Sequence, residues 1–231
     1  MKIGLIGDSL TEGRPGVSFL KLLQKQYPHM TFVNQGKPGE SVKSLHNRLT
    51  KMKLETFNLA FLWIGVNDVY SKLLSVQAQP VAKDHEEFTA YYQKVLECVL
   101  SSSKFVITVT PAIVGEDLNN VSNQEIKQLN TLITSIAHKH KNVSTLNLHT
   151  VFEKHLSSIK SSDYISTKVL TVMKDVLFYK KTSRIDQLSK KRGLHLTLDG
   201  IHLNSKGAQI VAEEYATIID QHQFTNKNAM L

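Results

Sequence analysis

A single cysteine stands in the 231 residues, Cys98 within VLECVL. An intrachain disulfide is therefore excluded, a reducing compartment is compatible with the chain, and the side chain reads as a buried helix residue rather than a redox group. Long hydrophobic runs are missing as well. No stretch approaches the roughly 18 apolar residues of a membrane span, so no stable membrane insertion is expected. The opening MKIGLIGDSL has too few apolar residues before its polar turn to form a secretory h-region. It reads as a strand, and the location it predicts is cytoplasmic. Repeats and low-complexity linkers are also lacking, and nothing in the composition points to an oligomeric state. Hydrophobic residues at 41% and charged ones at 21% are ordinary for a globular chain, which sets aside disordered and fibrous classes. The length fits one domain over residues 1–231.

What the chain does have is positive charge, with a formal net of +8 and a pI near 9.4. A basic surface can meet nucleic acid or an anionic membrane. Here the lysines are scattered. The densest groups, Lys180–Lys181 and Lys190–Lys191–Arg192, lack the interleaved aromatics of a binding module, so they read as solvated surface with no nucleic-acid partner.

Short β-branched or apolar runs alternate with segments of helical period, the pattern of a parallel sheet covered by helices. Strands are predicted at Lys2–Gly7, Met30–Asn34, Leu59–Ile64, Phe105–Thr110 and Val143–Leu148, with helices at Val17–Tyr27, Val42–Lys51, His85–Ser101 and Asn123–Lys141. A last helix is predicted over Ser205–Ile219, with Asn204 or Ser205 as its N-cap. Right-handed crossovers would open the functional crevice at the carboxyl ends of the strands. The stretch Phe152–Leu194 is longer than one connection needs. Its stripe of Ile165, Val169, Val172, Met173 and Val176 predicts a helical insertion, which either caps the active site or packs away from it.

Three strand ends carry polar groups. After the first comes Gly7–Asp8–Ser9–Leu10, a hydroxyl that could serve as nucleophile if a base lay within reach, or that could simply begin a turn. A phosphate loop is disfavoured, because Gly7 to Gly13 is not followed by Lys-Ser or Lys-Thr. After the second comes Asn34–Gln35–Gly36–Lys37–Pro38–Gly39–Glu40–Ser41, whose glycines let a backbone N–H approach an oxyanion. After the third comes Trp63–Ile64–Gly65–Val66–Asn67–Asp68, where the Asn67 amide could donate to developing negative charge. Near the far end, Asp199–Gly200–Ile201–His202 sets a carboxylate three residues before an imidazole, so that one ring nitrogen is held and the other is free to take a proton. His138 and His140 lie in a polar HKHK run. His195 has no carboxylate three residues before it.

Hydroxyl, glycine N–H, asparagine amide and Asp/His pair form the parts list for acyl transfer. In these blocks the sequence resembles the SGNH hydrolases, the GDSL esterase and lipase superfamily. The matching blocks are GDSL at Gly7–Leu10, the N-x-G-x-x-G-type element at Asn34–Gly39, G-x-N-D at Gly65–Asp68 and D-x-x-H at Asp199–His202. The resemblance implies a flavodoxin-like three-layer α/β/α sandwich with a central, mainly parallel five-stranded sheet. It implies an esterase that needs no cofactor and no metal, acting on a small-molecule ester. Ser9 would be the nucleophile, His202 the base and Asp199 the orienting acid, with Ser9, Gly39 and Asn67 as oxyanion donors. Gly39 is chosen over Gly36 by its spacing from Asn34. Asp8 and Asp68 would hold loops by hydrogen bonds without moving protons. Val66, where many relatives have a smaller residue, is a departure that leaves Asn67 unaffected. Two rival readings are a metal-dependent phosphoesterase, using Asp8, Asn67, Asp68, Asp199 and His202 as ligands, and a binding protein that keeps the scaffold without turnover.

Overall fold

A computed structural model describes residues 1–74, 79–167 and 181–228. Along the chain these form β1 (Lys2–Gly7), α1 (Ser9–Glu12), α2 (Phe19–Gln26), β2 (Thr31–Gly36), α3 (Val42–Leu49), β3 (Phe57–Trp63) and α4 (Val66–Tyr70), with a 3₁₀ turn at Ser71–Leu73. There follow α5 (His85–Leu100), β4 (Ser103–Val109), α6 (Val121–Ala137), β5 (Val143–Leu146), α7 (Leu148–Leu156), α8 (Thr182–Lys191) and α9 (Ser205–Asn228).

The five strands pair in the order β2-β1-β3-β4-β5, every pair parallel. Central β1 and β3 are covered on both faces, which is why KIGLIG and FNLAFLW read as nearly continuous apolar runs instead of alternating ones. On one face α2 packs against α9, and Tyr215 of α9 stacks on Phe61 of β3 with ring centroids 4.1 Å apart. A second set, α3, α5 and α6, packs in succession, burying Leu45, Tyr92, Val95 and Ile126. The architecture is the three-layer α/β/α sandwich. Its strand order reverses direction around β1, so the carboxyl ends of β1 and β3 flank the crevice where such sheets bind ligands.

Element ends differ from the sequence reading where caps intervene. β5 stops at Leu146 because the Asn147 side chain accepts the Thr150 N–H and starts α7, a helix the strand-like run VSTLNL conceals. Phe152, where the insertion was expected to begin, lies inside α7 and is fully buried in the main core. At α9 the cap is Asn204, whose Oδ1 accepts the Gly207 N–H at 3.0 Å. Cys98 lies on α5 but is half-buried. Of the stripe expected to form the insertion, Ile165 is described, whereas Val169, Val172, Met173 and Val176 lie outside the described residues, as does Lys180. Among the described residues no helix is long and apolar enough to cross a membrane.

Candidate active site

β1 ends at Gly7, and the chain turns at once into α1. Asp8 caps that helix by accepting the Leu10 N–H at 2.9 Å, which fixes the backbone on either side of Ser9. The Ser9 Oγ lies 2.9 Å from His202 Nε2, although 193 positions separate the two. His202 Nδ1 lies 2.7 Å from Asp199 Oδ2, while Asp199 Oδ1 accepts the N–H groups of Ile201 at 3.1 Å and His202 at 2.8 Å. The turn needs Gly200, whose φ of 95° is the left-handed conformation. All three side chains are buried. Burial alone would raise the Asp199 carboxyl, but the His202 charge and the N–H bonds outweigh it and hold Asp199 below its ordinary range. A hydroxyl, an imidazole and an ionised carboxylate thus lie in one hydrogen-bonded line.

Two further strand ends face the same crevice. Gly39 adopts a φ of 73°, and a Cβ built there would meet nothing within 4 Å. Gly36 is placed differently, since its N–H donates to the Asn34 side chain at 2.9 Å. Asn67, in the first turn of α4, donates one amide hydrogen to the Glu40 carbonyl at 2.9 Å, which leaves the second hydrogen of the same NH₂ for another acceptor. Glu40 is itself anchored. Its carboxylate receives two hydrogen bonds of 2.7 Å from Arg48 of α3, which also donates to the Gln35 carbonyl at 2.9 Å. A bidentate pair of this kind fixes orientation as well as distance.

Asp8 and Asp68 hold loops, as their positions suggested: the Oδ2 of Asp68 accepts the Val42 N–H at 2.9 Å. Burial pushes each carboxyl from an ordinary 3.8 up to about 7. Among the described residues no three His, Cys, Asp or Glu side chains are grouped as metal ligands. His138 and His195 are both exposed. From the stretch before α8, Ser166 donates its N–H to the Asp199 carbonyl at 2.9 Å, and the Tyr70 hydroxyl donates to the Ser166 carbonyl. Ile165 lies behind Gly200, where a glycine Cβ would come within 3.2 Å of the Ile165 Cα.

The profile of the GDSL-like Lipase/Acylhydrolase family matches residues 3–215. The chain belongs to that family. It is an ester-hydrolysing enzyme of the GDSL type. Among solved structures, the acetyl xylan esterase AlAXEase aligns with a TM-score of 0.65 at 21% identity, covering 95% of this chain and 100% of that one. A member of the lipolytic protein G-D-S-L family from Veillonella parvula aligns with a TM-score of 0.65 at 16% identity, covering 94% and 97%. A catalytic mutant of Axe2, an acetylxylan esterase from Geobacillus stearothermophilus, gives 0.62 at 19% identity, covering 93% and 91%. At these identities the likeness is one of fold. No curated protein sequence matches the chain significantly.

The sequence reading left out Arg48 and Tyr70, and it treated Glu40 as a loop residue. Glu40 had a signal, since it adjoins Gly39. The others act through tertiary hydrogen bonds and leave no local pattern.

Proposed function

We propose that this GDSL hydrolase cleaves carboxylic esters by a Ser9–His202–Asp199 triad through an acyl-enzyme. The observation that carries the reading is the unbroken line of contacts, 2.9 Å from Ser9 Oγ to His202 Nε2 and 2.7 Å from His202 Nδ1 to Asp199. The Nδ1–H donates a hydrogen bond to the Asp199 carboxylate, so His202 presents the lone pair of Nε2 to the hydroxyl. Ser9 attacks the ester carbonyl as its proton passes to Nε2, and the ionised Asp199 steadies the imidazolium. The carbonyl oxygen, now an anion, receives the N–H groups of Ser9 and Gly39 and the second amide hydrogen of Asn67. Collapse expels the alcohol, which takes the proton from His202. Water then repeats the sequence on the acyl-serine and releases the acid. For Gly39, the left-handed backbone and the open space beside it support its role over that of Gly36, whose N–H is already engaged.

The solved relatives lend support of a coarser kind. Structures of Axe2 described as catalytic mutants replace a serine, an aspartate and a histidine, the last two three positions apart, as Asp199 and His202 are. Those enzymes are acetylxylan esterases, so acetylated xylo-oligosaccharides belong beside aryl esters of rising acyl length in the substrate panel. The decisive test is covalent. An organophosphonate should add to one serine with complete loss of turnover, and peptide mass analysis should place it on Ser9. Labelling of a different serine with the same loss would overturn the assignment, and turnover abolished by a chelator would favour the metal-dependent phosphoesterase.

A further inference from the structure

The loop after β4 holds a carboxylate with no part in the ester chemistry. Glu116 is 2% exposed, yet both its oxygens are occupied. One accepts the His195 N–H at 2.7 Å. The other accepts the N–H groups of Leu196 and Thr197, each at 2.8 Å, and the Thr197 hydroxyl at 2.7 Å. None of these partners is a cation. Removing a carboxylate from water costs several kcal/mol unless its oxygens are fully bonded. Here three consecutive backbone N–H groups converge on one side chain, which the chain can achieve only by curling around it.

That curl is the base of the hairpin carrying His202 and Asp199. Thr197 bridges Leu203 in antiparallel fashion, and the Leu198 N–H donates to the His202 carbonyl at 2.6 Å. Having given its own hydrogen to Glu116, the Thr197 hydroxyl accepts the Gly200 N–H at 3.2 Å. The neighbour of Glu116 completes the grip: the Gly115 N–H donates to the Gly200 carbonyl at 2.7 Å. Residues 115 and 116 therefore hold the hairpin at its base and at its tip, with Asp199 and His202 between those anchors.

We propose that Glu116 is a positioning residue for catalysis, fixing the Thr197–Leu203 hairpin so that His202 Nε2 meets Ser9 Oγ. The proposal rests on the triad reading above. Its physical basis is that Ser9 and His202 arrive on separate elements, and that a misplacement of about 1 Å between reacting groups can cost about 10²-fold in rate. β1 fixes the serine. The Leu203 carbonyl at one end of the hairpin accepts the Val17 N–H at 2.8 Å, and Glu116, on the loop that leaves β4, ties the strand that begins at Thr197 to the same sheet.

The test compares Glu116→Gln, Glu116→Ala and Thr197→Val with the unmodified chain, each first shown to fold by circular dichroism. Glutamine keeps the shape but turns one oxygen into an NH₂ that faces backbone donors. Valine keeps the size of Thr197 but removes the hydroxyl that links Glu116 to Gly200. The expected result is a fall in kcat of about 10-fold for Glu116→Gln, larger for Ala and smaller for Val, with KM within about twofold. The rate of organophosphonate addition to Ser9 should fall in parallel, and the low-field proton resonance of the His202–Asp199 hydrogen bond should shift or broaden. Folded Glu116 variants with undiminished kcat and an unmoved resonance would overturn the proposal. So would a lowered melting temperature with kcat per folded molecule unchanged, because that is a purely structural brace. Ser9→Ala separates the two ideas: persistent turnover there removes the triad reading itself, whereas its loss together with normal Glu116 variants removes only the positioning role.

Discussion

The two halves of the proposed active site meet at 2.9 Å but are held in place by different balances of forces. The nucleophile half is delivered by apolar burial. β1 lies between β2 and β3, Ile3, Leu5 and Ile6 are at most 1% exposed, and Ser9 follows within one turn of the strand's end. The base half adds directional polar contacts to its burial, for Leu196, Ile201 and Leu203 also lie in the main core. The hairpin of Asp199 and His202 belongs to no strand of the sheet, and it is tied by Glu116, Gly115, Ser166 and its own Asp199 carboxylate. Burial is non-directional and tolerates small shifts, so it fixes where a strand runs. Hydrogen bonds are directional and fix where a side chain points.

That contrast can be broken most sharply at the base half. Asp199→Asn keeps the shape of the hairpin but no longer stabilises the imidazolium, and kcat should fall by about 10⁴-fold with the fold intact by circular dichroism. An activity loss below tenfold would mean that Asp199 only braces the loop. Next in size is Asn67→Ala, which removes one proposed oxyanion donor and should lower kcat by about 10²- to 10³-fold with KM far less affected. If KM rose while kcat held, Asn67 would bind substrate in its ground state.

At the nucleophile half the same size of cut should act on stability. Leu5→Ala empties part of a fully packed core and should lower unfolding free energy by about 2–5 kcal/mol in urea titrations, while kcat per folded molecule changes little. A large kcat loss there would show that the core also tunes Ser9. A pH-dependent effect on stability concerns the raised carboxyls of Asp8 and Asp68, both at about 7. Native protein keeps protons that the unfolded chain releases above about 4, so unfolding free energy should decline as pH rises from there through about 7. Each group contributes at most about 1.4 kcal/mol per pH unit. Asp8→Asn and Asp68→Asn should flatten that decline, and equal slopes in variant and parent across pH 4 to 8 would refute it.

Much of this was legible in order along the chain. β1 matches its predicted bounds, Lys2–Gly7, because both its faces are buried and its apolar run is nearly unbroken. β2 is shifted, Thr31–Gly36 against Met30–Asn34, since an edge strand with exposed positions has a weaker apolar signal. α7 went unread because its first residues continue the β-like run of β5, and only the Asn147 cap separates them. The Asp199–His202 contact was legible as well, being local, three residues apart and closed by one glycine.

By itself, the sequence determined the parallel α/β layout, through the period of its apolar residues, and the chemical inventory at successive strand ends, through short motifs. Only the tertiary structure decided that Ser9 and His202 touch across 193 positions. It alone decided that Asn67 is aimed by the Glu40 carbonyl, and that a buried glutamate beyond β4 gathers three N–H groups of the hairpin. The reason is range. Burial patterns and turns are written in neighbouring residues, whereas a directional bond between distant segments depends on both paths through the fold and leaves no periodicity in either.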